Sequence, residues 1–325
     1  MQPYFSDMHK LEMTATNKEH GPMNPNYSYT KNEVLKELYW FSYLTTEYNK
    51  SIYDVDVPVR TTNKRHGSYF KYDVNKNDFQ IGVGTNHIFR FAQGEHARNR
   101  DFVKAIKSIM HEEQHLHQHK VFFQRENPNE ITKTMNIQNV ICSSFPEYYE
   151  ACYFQSNLSE IYAERNALIR TMEYFKLNHP EINVEKELVD TINCYQSWYA
   201  DHPVTSVQDA IDKLTLAFNT AKEKPVNLYK VDFQDREPSP AFQAFFKDHD
   251  LDEYNHLSSE EQRTVLLEFI AQNAPSKISG YKTLSDVPIA QGEDKISVET
   301  DTRPFRPLPD LSSIKFEKSN ELELK

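Results

Sequence analysis

The chain has 325 residues and a net charge of −11, and 38% of its residues are hydrophobic. The negative charge argues against a nucleic-acid-binding protein, because phosphate contacts need clustered Lys and Arg. No apolar run reaches the roughly 18 residues of a membrane-spanning helix, and residues 1–10 lack the features of a signal peptide. The three cysteines, Cys142, Cys152 and Cys194, form no metal-type pair and indicate reduced thiols. We therefore expect a soluble, cytoplasmic protein without nucleic-acid or membrane partners.

Glycine is scarce in this chain, and its distribution suggests how the chain is organised. There are seven glycines, and none lies between Gly94 and Gly280. Because turns with positive φ favour glycine, this long stretch should be mostly helical. Composition further divides the chain into four segments. These are a flexible N-terminal arm (1–30), a main domain (31–180), a helical extension (181–275) and an extended or partly disordered tail (276–325).

The hydrophobic pattern changes period in the first third of the chain. Apolar residues at helical spacing predict a helix over 31–48. Apolar and polar residues then alternate, which predicts strands at 52–59, 69–74 and 79–83, with residues 75–78 typical of a hairpin turn. The sequence therefore predicts a small antiparallel sheet that follows the first helix.

Helical patterns dominate the rest of the chain. Pro146 is suited to the first position of a long helix that we expect to continue to about Leu177. Ser258 and Glu261 form a capping box at the start of another helix. Further helices are predicted at about 100–123, 130–142, 184–199 and 205–222. The predicted fold class is α+β, with a small antiparallel sheet and a mostly helical C-terminal extension.

The helix predicted over 100–123 contains His111-Glu112-Glu113-Gln114-His115, an HExxH motif. Residues four apart lie one turn apart on the same helix face, so both imidazoles can bind one metal ion. Glu112 then lies beside that ion, where it can take a proton from a bound water. Phe102, Ile106, Ile109 and Met110 recur at helical spacing before the motif and place it on an amphipathic helix.

A catalytic zinc usually takes three protein ligands, so the motif needs a third. Glu160 and Glu164 lie one turn apart in the next long helical segment and share a face. One of them can bind the metal while the other accepts the second ring N–H of a ligating histidine and so fixes its tautomer. The spacing by itself leaves both assignments open.

An HExxH helix followed by a Glu-x-x-x-acid pair on a later helix resembles the gluzincin group of zinc metallopeptidases. The order of helix, small sheet, HExxH helix and glutamate helix is similar to the minigluzincins, and residues 160–167 are weakly similar to the Glu-x-x-Ala pattern of ImmA-type metallopeptidases. The resemblance covers about residues 50–170. It implies a zincin-like metallopeptidase domain with Glu160 as the third zinc ligand. It also implies Glu164 as the residue that orients a ligand, where thermolysin-like members more often carry Asp.

The resemblance implies zinc-dependent hydrolysis of peptide bonds in peptide or protein substrates. Glu112 would act as the general base and would pass the proton to the leaving amine. Tyr153 lies seven residues before Glu160 and is a candidate hydrogen-bond donor to the developing oxyanion. The strand at 79–83 is a candidate edge for pairing with an extended substrate.

Two further histidines follow the motif. His119 continues the row of His111 and His115 by another turn, whereas His117 points away from it. One helix rarely supplies three ligands to a single zinc, so we expect both to be solvent-exposed or packing residues.

A second enzymatic hypothesis uses the same residues as a di-iron carboxylate site. Glu112 to His115 is also a Glu-x-x-His half-motif, and Glu253 to His256 repeats it. Glu37 and Glu160 could supply the further carboxylates that such a bundle needs. The predicted strands do not belong in a four-helix bundle, which disfavours this hypothesis.

A third hypothesis is a catalytically inactive zincin-like module for binding or assembly, with the helical C-terminal half as its interface. An inactive derivative would often lose the general base. The chain retains Glu112, which favours an active enzyme.

Overall fold

The structure, a computed structural model, describes residues 30–62, 67–73, 78–84, 88–89, 99–122, 129–153, 156–194, 203–231, 233 and 236–274. The described chain is mixed α and β and mostly helical, as the glycine distribution and the periodicity predicted. The predicted arm (apart from Thr30), the tail, most of the hairpin turn and the end of the helix at 184–199 lie outside the described residues.

The first helix, α1, spans Lys31–Tyr53 and is longer than the periodicity predicted. Thr30 and Glu33 form a capping box at its start. It ends at Asp54, whose backbone is left-handed (φ 52°) and whose N–H donates to the carbonyl of Lys50. The strand predicted at 52–59 is therefore wrong over most of its length, because its first two residues complete the helix. Its alternation instead reflects an extended segment that buries Val55 and Val57.

The three strands are β1 (Val59–Thr62), β2 (Tyr69–Asp73) and β3 (Asp78–Gly84), in the order β1-β3-β2. β2 and β3 are antiparallel as predicted, but β1 is parallel to β3, with Val59 opposite Ile81. The prediction of a wholly antiparallel sheet is therefore wrong. β3 is the central strand and is hydrogen-bonded on both edges, so the hypothesis that residues 79–83 pair with a substrate is also wrong.

Gly82 shapes the pairing of β2 with β3. It lies opposite Tyr69, and a Cβ atom at this position would clash with the Tyr69 ring. The absence of a side chain lets that ring cross the central strand, as aromatic residues do over strand glycines. The Tyr69 hydroxyl then accepts a hydrogen bond from Gln80 Nε2 at 2.9 Å.

The HExxH helix, α2, spans Asn99–His117 and widens into a π-helical turn at Gln118–Phe122. It is buried along most of its length between the sheet and a later helix, α5 (Leu158–Asn178). The apolar face predicted from Phe102, Ile106, Ile109 and Met110 is fully buried, which confirms the amphipathic pattern.

The long helix predicted from Pro146 to about Leu177 is two helices. After α3 (Glu130–Ser144), α4 spans Pro146–Cys152 and α5 begins at Leu158. The helix is therefore interrupted between Cys152 and Leu158. Asn157 caps α5, since its Oδ1 accepts from the N–H groups of Ser159 and Glu160. Tyr153 therefore does not lie on the helix of Glu160, and the argument that placed both on one helix face is wrong.

The remaining helices complete two buried clusters. The first joins the sheet and α1, α2 and α5 with α6 (Val184–Cys194) and α7 (Val207–Ala221). The second joins α3 and α4 with a 3₁₀ turn (Leu228–Lys230), α8 (Pro240–Asp248), α9 (Leu251–His256) and α10 (Ser259–Asn273). The capping box of Ser258 and Glu261 is present at the start of α10, as predicted. Residues of the predicted helical extension contribute to both clusters.

Candidate metal centre

Three side chains from α2 and α5 converge in one buried group. Glu160 Oε2 lies 3.1 Å from His111 Nε2 and 3.5 Å from His115 Nε2. The candidate ligand atoms of the three residues all lie within 4.8 Å of one another. Among the described residues they form the one group of this kind, so the tertiary structure brings together the two histidines of the motif and the glutamate that the resemblance implied as third ligand.

These distances match the size of a metal ion. In a tetrahedral zinc site with bonds of about 2.0–2.1 Å, neighbouring ligand atoms are about 3.3 Å apart. The two separations from Glu160 lie on either side of that value. The rings of His111 and His115 are 5.0 Å apart and nearly perpendicular, and the Nε2 atoms of both face the same carboxylate oxygen of Glu160. Two imidazoles and one carboxylate therefore fit a metal ion with little rearrangement.

Glu164 lies behind the group, on the other side of His111. Its Oε2 is 3.1 Å from His111 Nδ1, and its other oxygen forms an ion pair with Lys107 at 2.5 Å. Burial alone would raise the pKa of Glu164, but Lys107 and His111 lower it to about 2, so it is a carboxylate at neutral pH. This is the position of a residue that orients a ligating histidine. Of the two glutamates that the spacing left open, Glu160 is the one that faces both Nε2 atoms.

His115 is oriented by a residue that the sequence analysis did not identify. Its Nδ1 lies 3.0 Å from Gln118 Oε1. Gln118 is three residues further along the same helix, so the i, i+3 neighbourhood is the sequence signal that could have identified it. Both histidines thus have Nδ1 bound by a protein acceptor and Nε2 directed to Glu160.

Glu112 is buried beside this group and lines the same cleft. Burial raises the pKa of its carboxyl group, while the neighbouring His111 and His115 lower it. A carboxylate whose pKa is raised by burial is a stronger base than a solvated one, and general acid–base catalysis requires a pKa closer to the operating pH.

The group lies at the base of a cleft of about 290 Å³ with several aromatic walls. β2 contributes Tyr69 and Phe70, and α4 with the turn after it contributes Tyr149 and Tyr153. The Tyr149 hydroxyl lies 3.4 Å from Glu160 Oε1, and its ring lies 4.8 Å from that of Tyr153. The predicted donor Tyr153 lines the cleft, and Tyr149, which the sequence analysis did not select, contacts a candidate ligand.

The other histidines after the motif lie apart from the three converging ligands. His117 Nδ1 is 2.7 Å from the hydroxyl of Tyr53 on α1. His119 packs against the ring of Phe70 at 5.4 Å and lines the cleft. Burial, followed by the charge of His115, lowers the pKa of His119 to about 3, so it is neutral at physiological pH.

The residues of the di-iron hypothesis are not brought together. Glu253 and His256 are exposed on α9. Glu37 lies 3.8 Å from His179, which follows α5 and contacts Phe102 near the opposite end of α2 from the motif. Neither Glu37 nor the second half-motif belongs to the group formed by His111, His115 and Glu160.

The charges at the site predict that metal binding depends on pH. Burial lowers the pKa of His111, but hydrogen bonds with Glu160 and Glu164 outweigh it and raise the pKa to about 10; the pKa of His115 is also raised, mainly by Glu160. A metal ion needs neutral imidazoles and must displace these protons. We expect zinc affinity to rise between pH 6 and pH 8 by about tenfold per pH unit for each proton released. Competition with a chelator of known proton affinity measures this, and a pH-independent affinity would contradict it.

No protein-family model, curated protein or solved structure is significantly similar to this chain. No helix within the described residues is long and apolar enough to cross a membrane.

Proposed function

We propose that this protein is a zinc-dependent metallopeptidase that hydrolyses peptide bonds with Glu112 as the general base. The observation that carries the proposal is the convergence of His111, His115 and Glu160 beside the buried carboxyl group of Glu112. The resemblance of the HExxH and Glu-x-x-x-Glu spacings to the gluzincins supports the same function.

The donor set favours zinc over the other common divalent ions. Two imidazoles and one carboxylate are a frequent ligand set of catalytic zinc, whereas calcium and magnesium prefer oxygen ligands alone. Bound zinc would lower the pKa of a coordinated water and polarise the scissile carbonyl. Glu160 and Glu164 supply the negative charge that offsets the divalent ion, since the pKa values of both carboxyl groups are lowered, against the effect of burial, by His115, His111 and Lys107.

Glu112 performs the proton transfers in this proposal. It accepts a proton from the attacking water and later gives it to the nitrogen of the leaving amine. Its burial favours the first step, because desolvation makes the carboxylate more basic, and a pKa closer to neutrality lets the same group act as base and then as acid.

A neutral hydrogen-bond donor at the carbonyl oxygen would stabilise the developing negative charge. Tyr149 is better placed for this role than Tyr153, because its hydroxyl is already within 3.4 Å of Glu160 Oε1. Burial, followed by the charge of Glu160, raises the pKa of Tyr149, so its proton remains available at neutral pH. Tyr153 packs against the Tyr149 ring and limits its movement.

The outer edge of β2 is the position proposed for an extended substrate. Among the described residues β2 pairs with β3 alone, and Ser68, Tyr69 and Phe70 at its beginning line the cleft. An extended peptide could add to that edge through main-chain hydrogen bonds. β2 therefore replaces β3 in the substrate-binding role considered from the sequence.

Two thiols bear on the compartment in which the protein acts. Cys142 and Cys152 are both free, although their Sγ atoms are only 3.9 Å apart. In the cytoplasm proposed for this protein, both cysteines would stay reduced.

Removal of the metal tests the proposed function. Purified protein loaded with one zinc per chain is expected to hydrolyse an unfolded protein or a mixed peptide library. Chelation should abolish hydrolysis, and added zinc should restore it. The products are identified by mass spectrometry, and the stoichiometry by elemental analysis. A protein that binds zinc but releases no peptide products would support the inactive module, and two irons per chain would support the di-iron hypothesis.

A further inference from the structure

Gln118 connects the two elements that carry the candidate ligands. It is the first residue of the π turn after α2 and is 1% exposed. Its Oε1 lies 3.0 Å from His115 Nδ1 and accepts a hydrogen bond from Ser159 Oγ at 2.8 Å. Its Nε2 donates to the main-chain carbonyl of Ser159 at 2.8 Å. Ser159 immediately precedes Glu160, so this amide contacts the chain next to two candidate ligands.

The hydrogen bonds determine which way the Gln118 amide faces. The carbonyl of Ser159 can only accept, so the NH₂ group must face it and Oε1 must face the other way. Asn139 Nδ2 donates to Ser159 Oγ at 3.3 Å, which leaves the hydroxyl proton of Ser159 free to point at Gln118 Oε1. Oε1 is therefore an acceptor toward His115.

This orientation has a direct consequence for His115. An acceptor at 3.0 Å from Nδ1 requires the ring proton to be on Nδ1. The lone pair of the neutral ring is then on Nε2, the atom that lies 3.5 Å from Glu160 Oε2. A flipped amide would present an NH₂ group to Nδ1 and would favour the opposite tautomer, with its lone pair directed away from Glu160.

We propose that Gln118 is a positioning residue of the metal centre. It holds His115 in the tautomer that presents Nε2 to the ion, through the acceptor Oε1 that faces Nδ1. The inference rests on the zinc site of the proposed function. It gives the two histidines different supports, because His111 is oriented by the carboxylate of Glu164 and His115 by a neutral amide.

Two substitutions separate orientation of His115 from a purely structural bridge. Gln118→Met keeps the length of the side chain but removes both the acceptor and the donor. Gln118→Glu keeps an acceptor for His115 Nδ1 and Ser159 Oγ but loses the donor to the Ser159 carbonyl. We expect Gln118→Met to weaken zinc binding about 10- to 100-fold and Gln118→Glu to stay within about threefold of the wild type. A structural bridge alone would make both variants lose affinity equally.

Gln138 provides a matched control. Gln138 is also a buried glutamine. It donates to the carbonyl of Ser156 and accepts from the N–H of Leu158, so both of its hydrogen bonds go to the segment just before Glu160. Gln138→Met should lower the melting temperature while zinc affinity at 20 °C stays near the wild-type value. If Gln118→Met fails to fold, Gln118→Glu and Ser159→Ala, which removes one hydrogen bond to Oε1, still test the inference.

Zinc affinity is measured by chelator competition. The ring nitrogen that binds the metal in the zinc-loaded protein is identified from the ¹⁵N shifts of His115. We expect His115 to bind zinc through Nε2 in the wild type. We also expect Gln118→Met to lose zinc affinity and Gln118→Glu to keep it. Equal affinities of wild type and Gln118→Met, or bonding through Nδ1, would overturn the inference while leaving the proposed function intact. Zinc binding without hydrolysis would leave the inference standing and overturn the proposed function, whereas a wild type that binds no zinc would overturn both.

Discussion

Glu112→Gln is expected to lower kcat for peptide hydrolysis by about 10²- to 10⁴-fold, the usual contribution of a general base. The amide has nearly the shape of the carboxylate but cannot take a proton from water. Zinc should remain bound, because Glu112 is not one of the three residues that converge on the proposed ion. Initial rates at saturating peptide, measured beside the zinc content of the same samples, provide the test.

Glu173→Gln is a suitable control, because it makes the same chemical change at a position away from the cleft. Glu173 is exposed on α5. The substitution should leave both hydrolysis and zinc content unchanged. If Glu112→Gln retained turnover within a few-fold of the wild type, the role of general base would have to be assigned to another group. A loss of zinc together with activity would instead indicate that Glu112 holds the ion.

Glu160→Ala and Glu164→Ala are expected to differ in their effect on zinc affinity. Binding of zinc by a complete protein ligand set is worth about 10–16 kcal/mol, so the loss of one ligand in three should weaken binding by at least about 100-fold. Removal of a group that only orients a ligand typically weakens binding about 10- to 100-fold. Glu160→Ala should therefore be the more severe variant, because Glu160 Oε2 faces both Nε2 atoms whereas Glu164 faces Nδ1 of His111.

Elemental analysis and chelator competition on the two variants provide the measurement, with Glu173→Ala as a control on the same helix. The reverse order of affinities would make Glu164 the ligand and Glu160 the orienting residue. If both variants kept wild-type affinity, the metal centre proposed here would be wrong.

The helices whose boundaries depend on local chemistry were predicted well. The capping box at Ser258 and Glu261 and the apolar face of α2 are both present as expected. These features follow from hydrogen bonds and periodicity within a few residues, so distant parts of the chain do not alter them.

The break between α4 and α5 illustrates what periodicity misses. The helical pattern continues through residues 146–177, yet the side chain of Asn157 and the amide of Gln138 accept hydrogen bonds from N–H groups at the start of α5 and so begin a new helix there. Gln138 belongs to α3, so part of this stabilisation comes from another element. The break moves Tyr153 off the helix of Glu160, and Tyr149 on α4, which the spacing did not select, contacts Glu160.

The sheet was predicted incorrectly for a related reason. Alternation shows that a segment is extended and half-buried, but it contains no information on which strand is its neighbour. Burial of Val55 and Val57 produces the alternation, whereas β1 is parallel to β3, a pairing between segments about twenty residues apart that the alternation does not contain. The central position of β3 in the described three-stranded sheet is a consequence of that pairing.

The sequence by itself determined the pair His111 and His115 with Glu112 beside them, because residues four apart on one helix share a face whatever the rest of the chain does. It also limited the third ligand to Glu160 or Glu164. Only the tertiary structure shows which of the two glutamates faces both Nε2 atoms, because the packing of α2 against α5 brings Glu160 to the Nε2 atoms and Glu164 to Nδ1 of His111. The same packing brings Gln118 against Ser159 and Tyr149 against Glu160, contacts between residues far apart in sequence that no local pattern can contain.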